Sequence, residues 1–255
     1  MFIQHSGSVI CFIKNGYMEK IKDKVILVTG ATGTLGSATA PLLAGSGAKL
    51  FLSGRNESRL KEVGSMCQVP NERLFPADLA QESSVEAMAK SIHDQAGPVD
   101  ILINLSGIGI IKPLDTLSAE DFRKTIDTNL VAPFLLMKHF LPQMKQQNRG
   151  LIIQVPGVLG KTPMAGAMAY AASKYGLNGM MKSLREELKR TNIRITQLFL
   201  GGTDSRFWDT IDLKVQRDKM IVAEEAARSI WFLCQQPLSG VVSEMVVQPF
   251  NHQAI

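Results

Sequence analysis

The chain has 255 residues, 45% of them hydrophobic and 20% charged, which suits one large buried core and excludes a disordered or disulfide-stapled protein. Its net charge of +5 comes from basic residues spread among acids rather than gathered in a stripe, so nucleic acid is not an expected partner. Cys11, Cys67 and Cys234 are odd in number and lack metal-type spacing, which points to free thiols in a reducing compartment, the cytoplasm, and no apolar run is long enough to span a membrane.

Residues 1–20 fit no element and read as an N-terminal extension, for which disorder is one reading; the apolar stretch at 8–13 is brief and lacks a cleavage pattern, so it is not a signal peptide. No linker, charge run or repeat divides residues 21–255, which read as one domain. Apolar runs at 25–28, 49–52, 74–75, 101–103, 151–155, 193–199 and 245–247 read as strands, separated by helical patterns near 35–45, 57–67, 81–96, 118–147, 165–190 and 223–235. Runs apolar at nearly every position fit strands covered on both faces. The alternation predicts an α/β fold of Rossmann type: a doubly wound, mostly parallel seven-stranded sheet with helices on both faces and ligands at the carboxyl ends of its strands.

The first strand runs into Thr29-Gly30-Ala31-Thr32-Gly33-Thr34-Leu35-Gly36 and then a helix. Glycines there let the backbone turn sharply and approach a diphosphate, while the helix N-terminus offers free N–H groups, so binding of a nicotinamide dinucleotide is expected at Gly30, Thr32, Gly33, Thr34, Leu35 and Gly36. After the second strand stands Ser53-Gly54-Arg55-Asn56, with no acid for a ribose 2′-hydroxyl; the planar fork of Arg55 suits a 2′-phosphate, so NADP(H) is expected in preference to NAD(H), and a plain loop arginine is the alternative. Tyr170 and Lys174, at i and i+4, put a phenol and an ammonium on one helix face, where the cation favours the phenolate.

The glycine octet resembles the Thr-Gly-x-x-x-Gly-x-Gly signature of the short-chain dehydrogenase/reductase family, with the middle glycine shifted to Gly33 and Thr34 in its usual place. Tyr170-Ala171-Ala172-Ser173-Lys174 is similar to that family's Tyr-x-x-x-Lys element, and the resemblance spans residues 21–249. It implies catalysis by Tyr170, Lys174 and Asn129, the tyrosine exchanging a proton with the substrate oxygen, Asn129 supporting a water relay to the lysine, and hydride passing between the nicotinamide and carbon. It also implies cofactor contacts from Asp78 and Leu79 near the adenine, from Asn104, Ser106 and Gly107 after the fourth strand, from Tyr170 and Lys174, and from Gly201 and Thr203 after the sixth. Alternatives remain: Asp78 as cap of the helix that begins near Gln81, Asn104 as a stabiliser of the central sheet, and Asn129 as a buried helix asparagine bonded to backbone.

The family serine that hydrogen-bonds the reacting oxygen falls on Gly157. Losing one such donor typically costs about 10²–10³ in turnover, unless Thr162, Ser106 or a water substitutes. The segment between Gly201 and Ala223, with Phe207, Trp208 and Ile211, is predicted to close over an apolar or mixed substrate. The tail at 246–255, with Phe250 and His252, is expected to reach a neighbouring subunit of a dimer or tetramer. The first functional reading is an NADP(H)-dependent oxidoreductase acting on a small-molecule carbonyl or alcohol. The second is a dinucleotide-binding regulatory or assembly protein without turnover, and the third is nonredox use of the bound cofactor.

Overall fold

The computed structural model describes residues 18–251; the extension at 1–17, Cys11 and His252 lie outside the described residues. Seven strands, β1 Val25–Thr29, β2 Lys49–Gly54, β3 Leu74–Pro76, β4 Ile101–Asn104, β5 Gly150–Gln154, β6 Ile193–Leu200 and β7 Glu244–Val247, form one sheet in the order β3-β2-β1-β4-β5-β6-β7. Every neighbouring pair is parallel. Seven helices connect them: α1 Thr34–Gly45, α2 Glu57–Met66, α3 Glu82–Ala96, α4 Ala119–Ile126, α5 Ala132–Gln146, α6 Met168–Leu188 and α7 Ala223–Leu233. The strand order reverses at β1 and β4, and this switch point opens a crevice beyond the carboxyl ends of the strands.

Two hydrophobic layers sandwich the sheet. Leu27, Leu102 and Ile152 pack under α3, α5 and α6 through residues such as Ile92, Leu136 and Met181, while Val28, Ile103 and Ile153 pack against α1, α2 and α7 through Leu43, Leu60 and Ile230. Continuous burial on both faces explains why the strands read as unbroken apolar runs. Among the described residues, no helix is long and apolar enough to cross a membrane.

Two readings are corrected in detail. The helical pattern at 118–147 is two helices, because one π-helical turn, Asp127–Val131, separates α4 from α5 and carries Asn129 into the interior. Asp78 does not cap α3: the N-cap is Gln81, and Asp78 Oδ1 accepts from the Ala80 N–H at 3.1 Å in a local turn. At the end of the extension, the Glu19 N–H donates to the Gln235 carbonyl at 3.0 Å.

At the carboxyl ends of β1, β4 and β5 the apolar rows give way to polar residues, and the same register continues into the middle of β6 and the start of β7. Ser53, Thr29, Asn104, Gln154, Gln197 and Glu244 lie in register on neighbouring strands as one polar row across the sheet. Asn104 knits its centre, accepting at Oδ1 from the Thr29 hydroxyl at 2.6 Å and donating from Nδ2 to Gln154 Oε1 at 2.9 Å. At β1, β4 and β5 this row forms the floor from which the loops of the crevice rise.

Candidate active site

The turn after β1 is shaped by contacts within the chain. Gly30 has φ +69°, and a Cβ there would stand 2.6 Å from the Leu105 carbonyl carbon, so the turn and the loop after β4 meet backbone to backbone. A Cβ on Gly36 would lie 2.3 Å from the Gly30 carbonyl oxygen, which holds α1 tight against the turn. Gly33 is the N-cap of α1 with no side-chain cap, and the first turn of the helix holds no acid. The leading N–H groups of α1 therefore face the crevice with the positive end of the helix dipole, which suits a diphosphate.

A pocket of about 140 Å³ continues from this turn toward β2 and β3, lined by Gly54, Arg55, Asp78, Leu79, Gly107 and Thr128 among others. Arg55 is exposed at its rim and carries no ion pair to a described residue. The larger cavity, about 1120 Å³, runs from the same glycines past Ser106, Gly157, Tyr170, Lys174, Gly201 and Thr203 to the segment after β6. The residues singled out in the sequence thus come together, with two exceptions. Asn104 and Asn129 line neither cavity.

Tyr170 and Lys174 sit one turn apart on α6, with Lys174 Nζ 5.5 Å from the Tyr170 ring centroid. Lys174 is buried, and its ammonium donates to the Val155 carbonyl at 3.1 Å. No carboxylate among the described residues pairs with it, and burial pushes its pKa down to about 8. Burial pushes the Tyr170 phenol the other way, up from its ordinary value. Asn129 is fully buried, and its amide is spent on the loop after β4: Oδ1 accepts from the Ile108 N–H at 2.8 Å, and Nδ2 donates to the Ile108 carbonyl at 2.9 Å and to Ser173 Oγ at 3.1 Å. Ser173 in turn donates to the Tyr170 carbonyl at 2.7 Å, so Asn129 ties α6 to that loop.

Gly157 has φ +70° and ψ 170°, a conformation that essentially only glycine adopts. A serine placed there would be strained. Of the two hydroxyls that could substitute, that of Ser106 donates to Asn104 Oδ1 and is committed to the sheet floor. Thr162 lines the same large cavity as Tyr170, and its hydroxyl is free of hydrogen bonds to described residues. The turn that carries it is fixed to α6 by Asn178 Nδ2, which donates to the Gly160 carbonyl at 3.0 Å.

The segment after β6 folds over the cavity. Its two ends are joined where the Ile221 N–H donates to the Gly202 carbonyl at 2.9 Å and the Asp204 N–H to the Ile221 carbonyl at 2.8 Å. Within it Phe207 stands edge-on to Tyr170, ring centroids 5.5 Å apart, and lies so close to Gly109 that a Cβ there would be 2.1 Å from the ring. The sequence marks Phe207 only as an apolar lid residue; its pairing with Gly109 carries no local signal, because the two are distant in the chain and neither belongs to a periodic pattern.

A family model described as short chain dehydrogenase matches residues 24–216. The chain belongs to the short-chain dehydrogenase family. The chain is 30% identical over 232 residues to an uncharacterized oxidoreductase of Staphylococcus epidermidis, an alignment that covers 91% of this chain and 100% of that one. Among solved structures it is similar to a metagenomic short-chain oxidoreductase in complex with NADP, with TM-score 0.77 and 29% identity over 91% of this chain and 99% of the other. It shares its fold with an alcohol dehydrogenase from the archaeon Thermococcus sibiricus complexed with 5-hydroxy-NADP, with TM-score 0.82 at 24% identity over 92% of this chain and 100% of that one. By family the chain is therefore a Rossmann-type oxidoreductase.

Proposed function

We propose that the protein is an NADP(H)-dependent enzyme that interconverts a carbonyl and an alcohol. The observation that carries this reading is the buried, acid-free Lys174 ammonium held over the Tyr170 ring in the same cavity as the open end of α1. A nicotinamide bound there supplies or accepts the hydride. Tyr170 donates its phenolic proton to the substrate oxygen in the reductive direction, and Lys174 stabilises the phenolate left behind. Asn129 acts as a positioning residue through Ile108 and Ser173. Thr162 takes the place of the absent serine as hydrogen-bond donor to the substrate oxygen. A Thr162→Val protein is expected to turn over about 10²-fold more slowly, with Thr162→Ser retaining most activity; equal rates in the valine protein and the wild type would remove Thr162 from the reaction.

The preference for the phosphorylated cofactor is supported by Arg55 at the rim of the smaller pocket, with no acid beside it in Ser53-Gly54-Arg55-Asn56. The metagenomic relative, itself solved in complex with NADP, agrees. Arg55→Ala is expected to weaken NADPH binding about tenfold, the effect of one charge-assisted contact, while changing NADH binding little. Titration of both cofactors checks this, and an equal loss for the two would show that Arg55 does not read the 2′-phosphate.

Gly157 favours a second reading, a dinucleotide-binding protein without turnover. Binding of NADPH with no consumption across ketones, aldehydes and ketoacyl thioesters would select it. A cytoplasmic location and a homo-oligomeric state go with the first reading; Cys67 and Cys234 are buried free thiols, and Phe134 on α5 and Tyr175 on α6 are exposed.

A further inference from the structure

The lid between β6 and α7, residues 202–222, carries four acids, Asp204, Asp209, Asp212 and Asp218, and four bases, Arg206, Lys214, Arg217 and Lys219. It is neutral as a whole, yet its charges are sorted by side. Arg217 is spent within the lid, its guanidinium bridging Asp204 at 2.6 Å and Asp209 at 2.7 Å. The other three bases line the large cavity, whereas none of the four acids does. Neither Asp nor Glu appears anywhere in the lining of that cavity, and its one further charge is Lys174. Arg206, Lys214 and Lys219 carry no ion pair to a described residue.

These three cations divide by position. The Arg206 backbone N–H donates to Thr34 Oγ1 at 3.2 Å, which sets this residue over the glycine turn where a diphosphate would lie. Lys214 and Lys219 follow Phe207 and Trp208 in the lid sequence and are exposed, while the two rings stand edge to face with centroids 5.0 Å apart. The cavity lining therefore combines aromatic surface from Tyr170, Phe207 and Trp208 with exposed cations that no described residue neutralises. A cavity with one sign of charge raises the local concentration of ligands of the opposite sign.

We propose that the substrate carries an oxyanion, a carboxylate or a phosphate, set apart from its reacting carbon by an apolar stretch, and that Lys214 and Lys219 recognise it. The proposal rests on the carbonyl–alcohol reading only for the identity of the reacting group; the charge preference stands on the lid. The sequence expectation of an apolar or mixed substrate is thereby made specific.

The test compares oxo-carboxylates of graded chain length, and a phosphorylated ketone, with neutral methyl ketones of matched length. The wild type is expected to favour the charged series in kcat/KM, through KM, with the advantage shrinking as ionic strength rises. Charge reversal in the double variant Lys214→Glu, Lys219→Glu is expected to reduce the ratio of charged to neutral kcat/KM about tenfold or more, with the neutral Lys214→Gln, Lys219→Gln protein intermediate. Which anion shows the larger advantage distinguishes carboxylate from phosphate. Calorimetric titration of the same ketones into Tyr170→Phe protein saturated with NADPH reads the preference without turnover. Absence of NADPH consumption with every ketone would defeat the carbonyl reading but leave the binding preference to decide the substrate charge. Equal affinity for charged and neutral ketones, or a loss in the charge-reversed protein confined to NADPH, would overturn the proposal.

Discussion

Tyr170→Phe is expected to fold, to bind NADPH and to consume it about 10³-fold more slowly than the wild type, the range typical for removal of a positioned proton donor. The phenyl ring keeps the edge-on contact with Phe207, so the lid is not disturbed and the loss is chemical. The reductive direction uses a phenol in its neutral form, and burial keeps Tyr170 protonated across the neutral range. The difficulty lies with the phenolate formed after transfer, which a buried ring would not tolerate without the neighbouring ammonium. Single-turnover decay of NADPH absorbance checks this, and a mutant rate within a few-fold of the wild type would take Tyr170 out of the proton path.

Lys174→Met should lose turnover by about 10²–10³ and gain stability. The side chain is 6% exposed and without a carboxylate partner, so its charge is held at a desolvation cost that function requires and folding does not. Replacing such a group by an apolar side chain of similar length typically stabilises by about 1–3 kcal/mol. The pH dependence follows from the lowered pKa: between about 8 and the ordinary 10.5, the unfolded chain holds more protons than the folded one, so stability rises with pH across this window. Below about 8 the penalty is fully present, and there the methionine protein should melt furthest above the wild type; the gap should close as pH approaches 10.5. In the wild type, kcat for reduction should fall as pH rises past about 8, because Lys174 then loses the charge that holds the phenolate. A methionine protein less stable than the wild type at neutral pH would show that the ammonium contributes favourable contacts beyond its bond to Val155.

The five inner strands were legible because two-sided burial leaves a continuous apolar signature, and the glycine turn because Gly30 and Gly36 answer to backbone contacts any such turn requires. Tyr170 and Lys174 were legible as an i, i+4 pair. The π-helical turn at Asp127–Val131 was not, since every residue of 118–147 is compatible with one continuous helix and the widened turn is settled by packing around Asn129. The sequence marks Gly157 as a missing serine but not the left-handed backbone beneath it. Ser106 and Thr162 looked equivalent until Asn104 claimed the first. The sidedness of the lid charges was hidden for a related reason: in an irregular segment no period links sequence position to the face on which a side chain lies.

The central claim is transfer of hydride between NADPH and a carbonyl carbon in this cavity. Its most direct test is incubation of the wild-type protein with NADPH deuterated at C4 on either face and the charged and neutral ketones, followed by mass spectrometry of the alcohols. The account predicts deuterium on the carbinol carbon from one C4 face only, and no labelled alcohol from Tyr170→Phe on the same time scale. NADPH that binds to the wild type and stays fully deuterated, with no alcohol formed from any ketone, would contradict it and leave a protein that holds the dinucleotide without spending it.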